Sequence, residues 1–469
     1  MSDYKLLIGG KLVDGDQTMD VINPATEEVL VKCPRASEAQ LNDAVAAARA
    51  ASPGWAATPI EDRRAKLNEI ADAVKANAED LARILTQEQG KPLAEAQGEV
   101  AGTEGFFRYF ATLDLPMNVI EDSDQRRVEE IRRPLGVVGA IIPWNFPLMI
   151  VAFKAPAALL AGNTMVIKPS PTTPLATLKL GEIIKDILPA GVVNIITDQN
   201  DLGALISRHP DINKVSFTGS TETGKKVMAS AAETLKRLTL ELGGNDASIV
   251  LDDVDPKKVA KGIFQGAFLN AGQVCLAIKR VYAHETVYDA LCDELADLAN
   301  NAVVDDGLKQ GAQVGPLQNK MQYEKVQEFL EDARKNGKII AGGEVLDRPG
   351  YFIKPTIVRD ISDGCRMVDK EQFGPVLPVL KFSEEADAIK RANASPWGLG
   401  GSVWSSSVDR AHKVAEQMDT GTVWINTHLD FGPNIPFGGA KQSGIGTEFG
   451  QAGLEEFTQR HVININKAG

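Results

Sequence analysis

The chain has 469 residues, 43% hydrophobic and 24% charged, with a net charge of −13. Such a length predicts two or three domains, each with its own core, and the acidic balance argues against a nucleic-acid partner, which needs clustered Lys and Arg. No basic leader opens the N-terminus Met1-Ser2-Asp3-Tyr4-Lys5 and no apolar run reaches the roughly 18 residues of a membrane span, so a cytoplasmic protein without a membrane partner is expected.

Four cysteines (Cys33, Cys275, Cys292, Cys365) without a CxxC, and five scattered histidines without HxxxH or HExxH, suggest neither a disulfide framework nor a metal site.

After a leading strand-like segment the first hundred residues read as helices. Ser37-Glu38-Ala39-Gln40 is a capping box opening a stripe of Leu41, Ala44, Val45 and Ala48. Thr58-Pro59-Ile60-Glu61 opens another helix, with Pro59 at its first helical position and Leu67, Ile70, Ala71 and Val74 as its apolar face; Gly90 ends the next. The polar residues 122–133 read as a solvated hairpin.

From Pro134 short apolar runs alternate with helical patterns. Residues 137–142, 165–168, 192–196, 214–217 and 247–251 read as strands, with helices starting at Thr173-Pro174 and Ser220. This rhythm predicts a doubly wound parallel sheet, which binds ligands at the carboxyl ends of its strands. Further strands at 281–283, 338–341, 376–382 and 421–426 predict a second α/β domain, and residues 461–466 alternate as a strand does.

Glu241-Leu242-Gly243-Gly244 ends an apolar run, and Cys275 follows 34 positions later in Asn270-Ala271-Gly272-Gln273-Val274-Cys275. A thiolate and a carboxylate that converge can form and hydrolyse a thioester. By residue type alone, Cys275 fits equally a small core hydrophobe and Glu241 a solvated charge.

No GxGxxG occurs, but Phe217-Thr218-Gly219-Ser220 leads from a strand into a helix whose free N–H groups suit an anion. A Gly-rich turn remains the alternative. Residues 219–226 fall one residue short of GxxxxGK[ST], with Lys226 where the metal-binding hydroxyl belongs.

These segments resemble the signature blocks of the aldehyde dehydrogenase superfamily, in the family's order. Pro143-Trp144-Asn145-Phe146-Pro147, Lys168-Pro169-Ser170, Glu371-Gln372-Phe373-Gly374-Pro375 and Pro436-Phe437-Gly438-Gly439 extend the likeness over essentially the whole chain. The resemblance implies two doubly wound parallel-sheet domains, a Rossmann-like cofactor domain (1–117 and 134–243) and a catalytic domain (244–445). A small β oligomerisation arm (118–133 and 446–469) would make a homodimer or homotetramer.

It further implies Cys275 as nucleophile, Glu241 as the base for the hydrolytic water and Asn145 as oxyanion donor. Lys154 and Glu448 would relay a proton, though both are as readily ordinary surface charges. Trp144, Lys168, Gly219, Ser220, Gly224, Glu371 and Phe373 would hold NAD. Pro171 stands where NAD-selective relatives often carry a carboxylate, which leaves NADP open.

The positions matching the substrate funnel are Phe146, Ile150, Phe153, Val274, Leu276, Phe431 and Phe437, all apolar, which suits an apolar or aromatic aldehyde. They fit a core as well, and His428 and Asp430 could add polarity. The Cys275-Leu276-Ala277-Ile278-Lys279-Arg280 run departs from the commoner Cys-Thr-Ala-Gly-Ser-Arg and is similar to that of enzymes oxidising phosphorylated aldehydes. A phosphorylated or semialdehyde substrate, and a non-catalytic structural paralogue, are the other readings.

Overall fold

The computed structural model describes residues 4–467. Residues 1–3 and 468–469, which belong to the expected N-terminal and arm segments, lie outside the described residues.

The fold is α/β, built on two large sheets. The first has eight strands in the order Lys11–Val13, Leu6–Ile8, Val193–Ile195, Thr164–Lys168, Val137–Ile141, Lys214–Thr218, Arg237–Glu241, Gly444–Ile445. Its five inner strands are parallel, and its edge strands run antiparallel. The second sheet has seven strands: Lys338–Ala341, Thr356–Arg359, Val376–Phe382, Ile278–His284, Asp246–Val250, Gly400–Trp404, Thr422–Ile425. It is parallel except where Lys338–Ala341 pairs antiparallel with Thr356–Arg359. Inner strands buried on both faces need continuous apolar sequence, which is why most of their runs were legible.

Capping and periodicity account for the N-terminal helices. Ser37 and Gln40 form the reciprocal capping box of Glu38–Ala57, whose buried face carries Leu41, Ala44, Val45 and Ala48. Ile60–Ala76 buries the expected stripe, but Pro59 is its cap rather than its first helical residue. Gly90, at φ 99°, closes Ala78–Gln89 in the left-handed conformation that glycine adopts without strain.

Three features depart from the reading of the sequence, the first being the strand Thr356–Arg359 of the second sheet, which was not among those expected. The leading segment contains four short strands, two of which pair as a separate hairpin, Gln17–Ile22 with Val29–Arg35. The strand Gly400–Trp404, central in the second sheet, was not anticipated because its two leading glycines mask the pattern. A side-chain carbon at Gly400 would lie 2.6 Å from Asp246 Oδ2, and one at Gly401 2.4 Å from Met418, so packing demands glycine there.

A three-stranded sheet joins Asn118–Asp122, Arg126–Pro134 and Thr458–Asn466, the last two paired along nine residues. It leaves Val119, Ile120, Val462 and Ile465 exposed. Among the described residues no helix is long and apolar enough to cross a membrane, and no group of three His, Cys, Asp or Glu side chains could hold a metal.

Candidate active site between the two sheets

Glu241 ends the strand Arg237–Glu241, at the carboxyl edge of the first sheet. The chain then turns through Gly243 and Gly244 into the second sheet, and the turn brushes the cysteine loop. A side-chain carbon at Gly244 would lie 2.7 Å from the Cys275 carbonyl oxygen. The two segments proposed from sequence therefore meet.

The cysteine loop is strained and heavily restrained. Asn270, Ala271 and Gly272 have φ of 51°, 55° and 74°, a conformation that costs an alanine roughly 1–2 kcal/mol. Several contacts hold it. The Asn270 N–H donates to Glu95 at 3.0 Å, Asn270 Nδ2 to the Asn145 carbonyl at 3.0 Å, and Gln273 Nε2 to the Asn270 carbonyl at 2.9 Å. Beyond the cysteine, buried Lys279 Nζ donates to the carbonyls of Val274 (3.0 Å) and Cys275 (2.6 Å) and lies 3.7 Å from Glu371.

Asn145 is fixed on the opposite wall. Its Nδ2 donates to the Gln273 carbonyl at 3.1 Å, leaving the second amide hydrogen for a ligand, and its own carbonyl accepts from Lys91 Nζ at 3.0 Å. Lys91 pairs with Glu99, and both are fully buried. The same Glu99 accepts the N–H groups of Leu148 (2.9 Å) and Met149 (3.1 Å), in the first turn of Pro147–Leu160, where a carboxylate complements the helix dipole. Lys91, Glu95, Glu99 and Lys279 were not anticipated. The signal was charge at sites that should be apolar: Glu95 and Glu99 sit i, i+4 on one helix, and Lys279 interrupts an apolar run.

Burial governs the titration of the central pair. It pushes the Cys275 thiol up to about 12, with Lys279 pulling the other way. The Glu241 carboxyl is raised well above the usual range by burial and then by the charge of Glu448, opposed by Lys154. Neither Glu241 oxygen has a hydrogen-bond partner. Lys154 and Glu448 form a buried ion pair, so neither is a surface charge.

A cavity of about 700 Å³ runs from Cys275 along the carboxyl ends of the first sheet. Asn145, Trp144, Lys168, Gly219, Ser220, Glu371 and Phe373 all line it, as the sequence reading expected. Ser220 caps Thr221–Ala231, accepting from the Thr223 N–H, and Trp144 and Phe373 meet edge to face at 5.4 Å. The Thr218 hydroxyl on the same wall is buried without a partner. An elongated cavity with a helix N-terminus and an orphan hydroxyl fits a dinucleotide. Gly224 does not line it: a side-chain carbon there would strike Leu242 at 2.4 Å, so this glycine serves helix-to-strand packing.

The expected funnel residues divide. Phe449 is the hub of an aromatic cluster with Phe106 (4.9 Å), Phe153 (4.6 Å), Phe431 (6.5 Å) and Phe437 (5.3 Å), and Phe153 also meets Phe106 at 4.8 Å and Phe431 at 6.3 Å. Phe106 and Phe449 were missed. Phe146 lies 3.7 Å beneath Lys91 Nζ, while Ile150, Val274 and Leu276 are buried. His428 bonds to the Leu276 carbonyl at 2.7 Å, and burial lowers its pKa to about 4, so the ring is neutral. The Asp430 carbonyl accepts from Trp424 Nε1 at 2.7 Å.

Comparison with known proteins agrees with this geometry. A profile described as the aldehyde dehydrogenase family matches residues 12–463. The chain is 40% identical to the phenylacetaldehyde dehydrogenase of Pseudomonas fluorescens, over 98% of this chain and 96% of that protein. It is 38% identical to the glutarate-semialdehyde dehydrogenase of Pseudomonas putida, over 98% of this chain and 97% of that one. The NAD+ complex of an aldehyde dehydrogenase from Bacillus cereus superposes with a TM-score of 0.97 at 38% identity, covering 99% of this chain and 97% of that one.

Proposed function

Because the chain belongs to the aldehyde dehydrogenase family, we propose that it oxidises an apolar or aromatic aldehyde to the carboxylic acid with NAD as hydride acceptor and Cys275 as nucleophile. One observation carries this reading: Glu241, buried with both oxygens unpartnered, ends the strand whose following turn packs on the Cys275 carbonyl, near enough for its charge to act on the Cys275 thiol. An orphaned buried carboxylate costs stability and is retained where it works on a ligand or water.

The Cys275 thiolate adds to the aldehyde carbon, forming a C–S bond and an oxyanion. The free Asn145 amide hydrogen and the Cys275 N–H are the donors for that charge. Ser220, Lys168 and Glu371, which line the cavity, would hold NAD, which would supply the hydride acceptor. Loss of hydride leaves a thioester at Cys275. Glu241 then draws a proton from water, the hydroxide attacks the acyl carbon, and the C–S bond breaks to release the acid and the thiolate. Glu448 and Lys154, adjoining Glu241 electrostatically, serve to pass that proton on.

The apolar character of the expected funnel positions and the named activity of the Pseudomonas fluorescens relative support an apolar or aromatic substrate. On this reading residues 1–117 and 134–243 form the cofactor unit, 244–445 the catalytic unit, and 118–133 with 446–469 an arm joining copies of the chain. The test is reduced-cofactor formation from NAD with phenylacetaldehyde, glutarate semialdehyde and glyceraldehyde 3-phosphate. Preference for phenylacetaldehyde is expected. Preference for a charged aldehyde would overturn the substrate class, and no reduced cofactor from any would favour a structural paralogue.

A further inference from the structure

One end of the cavity carries a buried charge pair. Lys168 Nζ, at the end of Thr164–Lys168, donates to Asp198 Oδ1 at 2.7 Å and to the Pro169 carbonyl at 3.1 Å. The two side chains are 4% and 0% exposed. Asp198 Oδ2 accepts the Leu202 N–H at 2.9 Å, which anchors the turn before Gly203–Arg208. Lys168, Ser170, Asn200 and Gly203 line this end of the cavity together.

We propose that Asp198 is a specificity residue that makes the site selective for NAD over NADP. The inference rests on the reading above: with the hydride acceptor set at Cys275, the Lys168 end of the same cavity is left for the adenosine ribose. A lysine facing that ribose would by itself attract a 2′-phosphate, which carries close to two negative charges. Here the ammonium is already neutralised by a carboxylate locked in place by a backbone N–H. The added phosphate therefore meets a dipolar pair rather than a free cation, and it meets the negative charge of Asp198 in a water-poor setting where screening is weak. A 2′-hydroxyl carries no such penalty. Pro171, which lacks a carboxylate, does not leave the site without an electrostatic bar, because Asp198 supplies it from another loop. Of the other cations on the wall, Lys226 is exposed, and Lys325 lies on the Glu371 side.

The test is equilibrium binding of NADH and NADPH, followed by quenching of tryptophan fluorescence with no aldehyde present. The wild-type protein is expected to bind NADH at least about tenfold more tightly. Asp198→Asn, which keeps the shape and removes the charge but has a single acceptor oxygen for the Lys168 ammonium and the Leu202 N–H, should tighten NADPH by about tenfold while NADH changes by less than about threefold. Asp198→Ser carries the same comparison should the first variant not fold. Equal wild-type affinities, or a ratio unchanged in the folded variant, overturn the proposal. If neither cofactor binds the wild-type protein, the reading of the cavity itself fails, an outcome distinct from an unchanged ratio.

Discussion

Burial raises the pKa of both Cys275 and Glu241, yet each must lose a proton to act. For the thiol the consequence is a shallow reserve of thiolate in the free protein. Its alkylation by iodoacetamide should quicken about tenfold per pH unit between about pH 7 and 10, because the thiolate fraction follows pH below a pKa near 12. A plateau below pH 8 would show a thiol already ionised. Lys279 is the cation that favours the thiolate, and Lys279→Met should slow alkylation several-fold at fixed pH. For Glu241 the sign is the same: a raised pKa keeps it protonated at low pH, so deacylation falls as pH falls and rises as the carboxylate forms. At this scale Cys275, Glu241 and Asn145 were legible because short blocks advertise them. Lys279 and Asp198 were not, since each acquires its meaning from a partner the fold brings to it: carbonyls within its own loop for Lys279, and a lysine 30 residues earlier for Asp198.

The helix Leu93–Phe110 works as the brace of the site. Glu95 holds the left-handed turn at Asn270, and Glu99 holds the start of Pro147–Leu160 while pairing with Lys91. The helix was expected only as part of a helical first hundred residues, and the purpose of its buried carboxylates was not legible, because hydrogen bonding to distant backbone leaves no pattern in sequence. Lys91→Met tests the brace. It strands Glu99 without its cation and should lower unfolding free energy by about 3–5 kcal/mol, measured by urea denaturation, and loosening Asn145 should lower kcat while leaving NADH affinity near its wild-type value. Undiminished kcat in the folded variant would show that Asn145 does not depend on Lys91. Elements of continuous apolar sequence were found for the opposite reason: a strand buried on both faces writes its environment into its residues. Gly400–Trp404 escaped because glycine, required there by Asp246 and Met418, reads as a turn.

Across the whole molecule, two sheets built from alternating strands and helices meet where Glu241 passes into the second sheet and Cys275 returns from it. The architecture was legible from rhythm. The edges of the first sheet were not, because antiparallel strands of two or three residues carry too little pattern. The three-stranded sheet of Asn118–Asp122, Arg126–Pro134 and Thr458–Asn466 exposes Val119, Ile120, Val462 and Ile465, apolar surface that a second copy would cover if the sheet is the proposed arm. Light scattering should therefore find at least a dimer, and deletion of residues 458–469 should give monomers; a monomeric full-length protein would contradict this. Covalent catalysis at the junction is tested most directly by mixing Glu241→Gln with NAD and phenylacetaldehyde and digesting the protein for mass spectrometry. The expected result is a single burst of reduced cofactor, close to one per site, with an acyl group on the peptide carrying Cys275. A burst without that adduct, or steady turnover at the wild-type rate, would contradict the assignment of Cys275 as nucleophile and Glu241 as the deacylating base.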